Sequence, residues 1–207
     1  MKVKTILNIG VASTFAIVVI TILMIVMRGT PTGVSAMEIP VLGSVPEFSL
    51  TEASGTPLRR ADLLGKVWIA SFVFTRCAEA CPTLMHHEAR LQADLPQRDD
   101  LRLVSFSVDP DWDAPKVLTD YAHTFGADRS HWLFLTGDKK QIYHVTIDGF
   151  HLATVDADPA KEMPILHSTK LVLVDRHGAI RGYYDSSDDG ELRKLVHDVR
   201  QVLGERS

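Results

Sequence analysis

The chain has 207 residues, 45% of them hydrophobic and 23% charged, with a formal charge of −4. That length holds a membrane segment and one soluble domain of ordinary size, so the fold has ample core without disulfide staples. Lys2, Lys4 and Arg28 are the only charged residues among the first 28; setting them aside leaves the rest at −7, which argues against nucleic acid or anionic lipid headgroups as partners.

Residues 6–27 read ILNIGVASTFAIVVITILMIVM without a charge. About 22 residues at about 1.5 Å each cover the roughly 30 Å of bilayer hydrocarbon, so the segment is expected to span as a helix. Arg28 interrupts before the weak small-residue site Val34-Ser35-Ala36, which favours an uncleaved anchor over a signal peptide. Lys2 and Lys4 precede the span and Arg28 alone closely follows it, placing the N-terminus in the cytoplasm and the domain on the far, oxidising side. Residues 1–28 are thus read as cytoplasmic N-terminus and anchor, 29–42 as a Gly, Pro, Ser and Thr-rich tether, and 43–207 as the folded domain.

The domain opens with an alternating arm over Val45–Thr51, a turn at Ser54-Gly55 and a short helical turn within Leu58–Lys66. The apolar run Val67–Thr75 predicts a core strand. Pro82 suits the first position of a helix running to about Leu95, with Leu84, Leu91 and Leu95 inward and Cys81 as its N-cap. Leu101–Val108 predicts a second strand, Pro115 a helix to about Gly126, His131–Leu135 a third strand, and Lys139–Val145 a short helix. From Thr146 to Pro164 the pattern weakens into a long loop, with a hairpin across Asp148-Gly149 as one option. Thr169–Asp175 and Ala179–Tyr184 flank Arg176-His177-Gly178 as a hairpin. Leu192, Leu195, Val196, Val199, Val202 and Leu203 mark a last helix, with Asp188 and Glu191 at its start. Strand, helix, strand, helix, strand, short helix, hairpin, helix describes an α/β fold with mixed strand directions. It is the thioredoxin pattern with an N-terminal extension and a long insertion before the final hairpin.

Cys77 and Cys81 are the only cysteines, set as C-A-E-A-C-P at the mouth of the first core strand. Three readings follow: a soft-metal clamp, a dithiol redox switch, or a structural bridge. The bridge is the weakest, because closing so small a loop removes only about 2 kcal/mol of unfolded-chain entropy. A helix N-terminus favours a thiolate, so Cys81 is expected to be partly ionised, and with it Cys77. A closed zinc site needs four ligands, and no matching spacing completes a set with the two cysteines. Asp109 ends a neighbouring strand and is either a tuner of thiol protonation or a plain turn acid before Pro110. His86 and His87 are weighed as accessory ligands against a solvated helix face. Met37 and Met85 are read as linker and packing residues, and Trp68, Trp132, Tyr183 and Tyr184 as packing aromatics. His123, His131, His144, His151, His177 and His197 are read as surface or satisfied polar groups.

Phe72-Val73-Phe74-Thr75-Arg76-Cys77-Ala78-Glu79-Ala80-Cys81-Pro82, Ser107-Val108-Asp109-Pro110, and His167-Ser168 before a strand ending Leu173-Val174-Asp175-Arg176-His177-Gly178 together resemble the Sco/SenC family. The resemblance covers residues 43–205 and the anchor. It implies a thioredoxin-like domain that holds one copper ion through Cys77, Cys81 and His167, on the periplasmic side of a bacterial inner membrane. It further implies a metallochaperone that passes copper by ligand exchange to a membrane protein, a cytochrome oxidase subunit with a dinuclear copper site. Many relatives carry Pro-Asp after the first cysteine and an acid before the histidine, where this chain has Ala78-Glu79 and Leu166. The alternative keeps the same cysteines as the redox pair of a thiol-disulfide oxidoreductase that holds a client's metal-binding cysteines reduced. A peroxiredoxin-type peroxidase comes third.

Overall fold

The computed structural model describes residues 19–21, 24, 39–77, 80–152 and 169–205. The chain divides into two units, Met1–Glu38 and Ile39–Ser207. In the first, Val19, Ile20, Thr21 and Met24 are helical; the remainder of the expected span over 6–27, and tether residues 29–38 with Met37, lie outside the described residues. Among the described residues no helix is long and apolar enough to cross a membrane.

The second unit is built on eight strands: β1 (Gly43–Ser44), β2 (Ser49–Glu52), β3 (Pro57–Arg59), β4 (Val67–Val73), β5 (Leu101–Ser107), β6 (Trp132–Thr136), β7 (Lys170–Val174) and β8 (Ala179–Asp185). They form one sheet in the order β1-β8-β7-β4-β5-β6-β2-β3. β4 pairs in parallel with β5 and β5 with β6, while β7 runs antiparallel to β4 and pairs with β8 in the expected hairpin. Among the described residues four α-helices connect or close the sheet, α1 (Ala80–Asp94), α2 (Pro115–Thr124), α3 (Lys139–Tyr143) and α4 (Asp189–Gly204), and the expected short helical turn is a 3-10 helix at Arg60–Leu63. The parallel pairs require crossovers, and α1 and α2 supply them. Asp188 caps α4 by accepting from the Gly190 and Glu191 N–H groups.

All seven residues of β4 are buried. Period-two alternation puts Trp68 and Phe72 on one face, where they meet Phe106 of β5 and, from outside the sheet, Phe150. Phe48 adds an edge-on contact to Phe106 at 5.6 Å. Phe150 comes from the stretch expected to be a loop or hairpin. That expectation fails at Asp148-Gly149, because α3 runs on as a π-helical turn over His144–Gly149 that buries Val145, Thr146 and Gly149. Gly149 is required there: a Cβ would stand 2.3 Å from Cδ of Pro46. Residues 153–168, most of the expected insertion, lie outside the described residues.

The other face of β4 carries Ser71, whose hydroxyl donates to Ser105 Oγ at 2.8 Å, and Ser105 Oγ also accepts from Trp132 Nε1 at 2.8 Å. Against this face α1 presents Cys81, Leu84, Met85, Glu88 and Leu91. Glu88 is fully buried, and neither carboxyl oxygen has a hydrogen-bond partner among the described residues. Burial pushes its carboxyl up to about 8. Ser71 opposes this only weakly, since its proton is committed to Ser105.

Arg181 closes the domain end. Its side chain donates through Nε and Nη2 to the Ile39 carbonyl, through Nη1 to Asp175, and through both Nη groups to Glu205, tying the first described residue of this unit to the last. It is 5% exposed and Asp175 is 7% exposed.

Two outcomes are expected. Because the folded state keeps a Glu88 proton that an ordinary glutamate sheds near 4.5, this site's contribution is present at low pH and is lost as pH rises to about 8. Relative to Glu88→Gln, the natural chain should lose roughly 3–5 kcal/mol of stability between about pH 5 and pH 8, read from urea midpoints of both proteins. Arg181→Leu leaves a buried Asp175 without its cation and should cost about 3 kcal/mol in the same assay.

Candidate metal centre

β4 delivers the chain to Phe74, and the Cys77 N–H donates to the Phe74 carbonyl at 3.2 Å, turning the backbone sharply at the sheet's end. α1 begins at Ala80, one residue before the expected N-cap, so Cys81 lies inside the first turn with Pro82 behind it. A first-turn N–H has no acceptor within its own helix. The Cys81 N–H finds one in Cys77 Sγ at 3.3 Å. Cys77 and Cys81 carry thiols and share no disulfide; Cys77 is partly exposed and Cys81 is buried.

Two carboxylates from the β5–α2 connection hold this turn. Asp113, fully buried, accepts from the Thr75 N–H at 3.2 Å, the Thr75 hydroxyl at 2.5 Å and the Ser107 hydroxyl at 2.6 Å. Asp109 accepts from Arg76 Nε at 2.9 Å and Nη2 at 2.5 Å. The two residues before Cys77 are therefore both fixed to the end of β5. Asp109, singled out in the sequence as a tuner or a turn acid, is an anchor for Arg76. Asp113, Thr75 and Tyr121 were not singled out. The run Asp-Pro-Asp-Trp-Asp-Ala-Pro offers three acids and no sign of which one turns inward.

The thiol electrostatics reverse one expectation. Burial pushes the Cys81 thiol up to about 12; a backbone donor at Phe74 lowers it, while Cys77 and the Asp113 charge raise it further. The helix terminus does not win, because its N–H is spent on Cys77 and the Cys81 sulfur has lost its water. Cys81 is a protonated thiol at neutral pH rather than a partly ionised one. Tyr121 of α2 belongs to the same neighbourhood. Burial pushes its phenol up, with added repulsion from Cys81, Cys77, Glu88 and Asp113, and its hydroxyl is buried without a hydrogen-bond partner among the described residues.

His167, the expected third ligand, lies outside the described residues, as do Ala78 and Glu79. Among the described residues no three His, Cys, Asp or Glu side chains are grouped to hold a metal. His86 sets its ring edge-on to Phe125 at 5.2 Å, and His87 Nδ1 is bonded to the Ser186 carbonyl. Met85, Trp68, Trp132 and Tyr184 are buried core residues, and Tyr183 packs against the core with its hydroxyl on the Phe150 carbonyl. His131, His144 and His197 each meet an aspartate. The centre that remains is a pair of adjacent sulfurs at one rim of the sheet, one sheltered and one reachable. Such a pair suits a soft cation that displaces two protons, or a disulfide formed between the two.

The SCO1/SenC family profile matches residues 42–204. A Stutzerimonas stutzeri protein named for copper binding is 30% identical over 152 residues, 72% of each chain. The crystal structure of a SCO1/SenC family lipoprotein from Bacillus anthracis superposes with a TM-score of 0.72 at 30% identity, over 81% of this chain and 99% of that one. The structure of BsSco, described as having a disulfide switch and as a member of the Sco family of cytochrome c oxidase assembly proteins, gives 0.69 at 28% identity, over 81% and 98%. A profile spanning more than three quarters of the residues, together with the shared α/β, thioredoxin-like fold, places the chain in the SCO1/SenC family.

Proposed function

We propose that this chain carries one copper ion as cargo, taken up as Cu(I) by Cys77, Cys81 and His167 and handed by ligand exchange to a copper-receiving membrane protein, a cytochrome oxidase subunit with a dinuclear copper site. The N-terminal apolar segment is read as a single-pass anchor that keeps the domain on the periplasmic side. The observation that carries this reading is the reduced, unequal thiol pair: Cys81 buried and protonated, Cys77 partly exposed beside it. Two sulfurs and an imidazole are donors suited to Cu(I), and three ligands leave a side open to an incoming one. The copper-binding name of the Stutzerimonas relative and the oxidase-assembly description of BsSco support cargo and client respectively.

The protonation state of Cys81 fits a metal ligand. In a thiol-disulfide enzyme only the attacking thiol needs a pKa near the ambient pH; Cys81, pushed up to about 12, is unsuited to that part, which in the reductase reading falls to the reachable Cys77. A metal-binding thiol has no such need, since the incoming cation expels the proton. The second reading, a reductant for a client's cysteines, draws on the close approach of the two thiols and on the disulfide switch described for BsSco.

Anaerobic titration of the reduced full chain with Cu(I) should show one tight equivalent. Because the cation must displace the Cys81 proton, the apparent affinity should rise at least about tenfold per pH unit between pH 6 and pH 8. His167→Ala should weaken binding by roughly tenfold or more. Absence of a tight equivalent, or an unaltered affinity in His167→Ala, would contradict the proposal. Alkylation by iodoacetamide at pH 8, followed by mass spectrometry, should label Cys77 well before Cys81. Rapid turnover on a disulfide substrate would favour the reductase.

A further inference from the structure

The rim beside Cys77 carries an exposed tryptophan. Trp112 is 55% exposed, whereas Trp68 and Trp132 are 1% and 0% exposed. Its backbone is held in a turn. The Trp112 main-chain N–H donates to the Asp109 carbonyl at 3.0 Å, and the next main-chain N–H, from Asp113, bonds to the same oxygen at 2.9 Å. In the same turn Asp113 fixes Thr75 and Asp109 fixes Arg76, while Asp111 pairs with Lys139. The Arg76 guanidinium lies over the indole, with Cζ 4.9 Å from the ring centre. Arg76 spends Nε and Nη2 on Asp109, its side chain is half exposed, and among the described residues nothing engages Nη1.

An indole left in water costs hydrophobic free energy, and nothing in the turn requires one there; the backbone bonds at position 112 are independent of the side chain. A preordered aromatic beside an arginine is the kind of anchor that gives protein contacts most of their binding energy, because little side-chain entropy remains to be lost. Arg76 is the residue before Cys77. Whatever exchanges ligands with Cys77 must bring its sulfur to that same rim.

We propose that Trp112 and Arg76 form the docking platform for the copper-receiving segment. This deepens the ligand-exchange reading and rests on it. The fitting segment is an extended, cysteine-bearing stretch that lays a methionine on the open side of the indole and turns a carbonyl or carboxylate oxygen to Arg76 Nη1. A thioether packs well on an aromatic ring. In the exchange, a client thiol loses its proton as its sulfur bonds to Cu(I), the bond from Cys77 Sγ breaks, and Cys77 takes up a proton; copper keeps its oxidation state.

The test uses the reduced full chain and two synthetic peptides, each with two cysteines and one neighbouring side chain that is methionine in one and serine in the other. Docking is read without copper from the change in intrinsic fluorescence on adding peptide, measured against Trp112→Phe, which removes the exposed indole and keeps the two buried ones. Transfer is read by stopped flow from protein loaded with one equivalent of Cu(I). The methionine peptide should shift the Trp112 emission and accept copper at least about tenfold faster than the serine peptide. Trp112→Ala should bind Cu(I) as tightly as the natural chain yet lose that advantage, and Trp112→Phe should keep part of it. An unchanged transfer rate in Trp112→Ala, or equal slowing with both peptides, would overturn the platform. Failure of the natural chain to hold Cu(I) would overturn the delivery reading and with it the platform's part in delivery, whereas an unshifted emission with the methionine peptide on a chain that does hold Cu(I) would overturn the platform alone.

Discussion

A carboxylate with no water around it governs the geometry of the cysteine pair. Asp113 is fully buried and collects the Thr75 N–H, the Thr75 hydroxyl and the Ser107 hydroxyl. Burying such a group is unfavourable unless every lone pair is used, so the bonds cannot be given up singly. The end of β4 is thereby locked to the end of β5, and Asp109 repeats the lock one residue later through Arg76. Cys77 leaves this double anchor with its direction already fixed. Helix α1 then sets Cys81 against the core, and the Cys81 N–H reaches back to Cys77 Sγ. Two consecutive elements, β4 and α1, thus meet at one pair of sulfurs, braced by a carboxylate 38 positions beyond Thr75.

The same burial that fixes the pair sets its chemistry. Removing water from Cys81 keeps its proton on and makes that sulfur a poor nucleophile, so any attack on a disulfide would fall to Cys77. A soft cation entering the pair exchanges a proton for a bond, so the penalty that suppresses redox reactivity does not oppose metal uptake in the same way. Glu88 extends this low-dielectric zone along α1, and Tyr121 borders it from α2. Cys77 stays partly exposed and keeps one side of the pair reachable. In the proposed ligand exchange the sheltered sulfur would retain the cargo and the reachable one would release it.

Much of the frame was legible because its signals are local. The apolar runs of β4 and β5, Pro82 behind Cys81, Pro115 at the start of α2 and the Asp188 cap each depend on a few neighbouring residues. The π-helical turn at His144–Gly149 was not legible, since Asp-Gly is a turn signal and its meaning here depends on Pro46, about a hundred positions earlier. Asp113 was hidden for the same reason: three acids in seven residues look alike until the fold buries one. Glu88 was recoverable. It continues the inward series Cys81, Leu84, Met85 and Leu91 at helical spacing, and a charged residue on that face is a signal in itself. The Cys81 protonation was misjudged because the helix-terminus argument counts a local dipole and omits desolvation by the whole core.

The central claim is that two sulfurs and the His167 imidazole together hold the cargo. X-ray absorption at the copper edge, on the full chain loaded with one equivalent of Cu(I), tests it most directly. The account predicts a first shell of two sulfurs and one nitrogen, with the nitrogen missing in His167→Ala. A shell containing sulfur alone in the natural protein, or spectra identical in the two proteins, would contradict it.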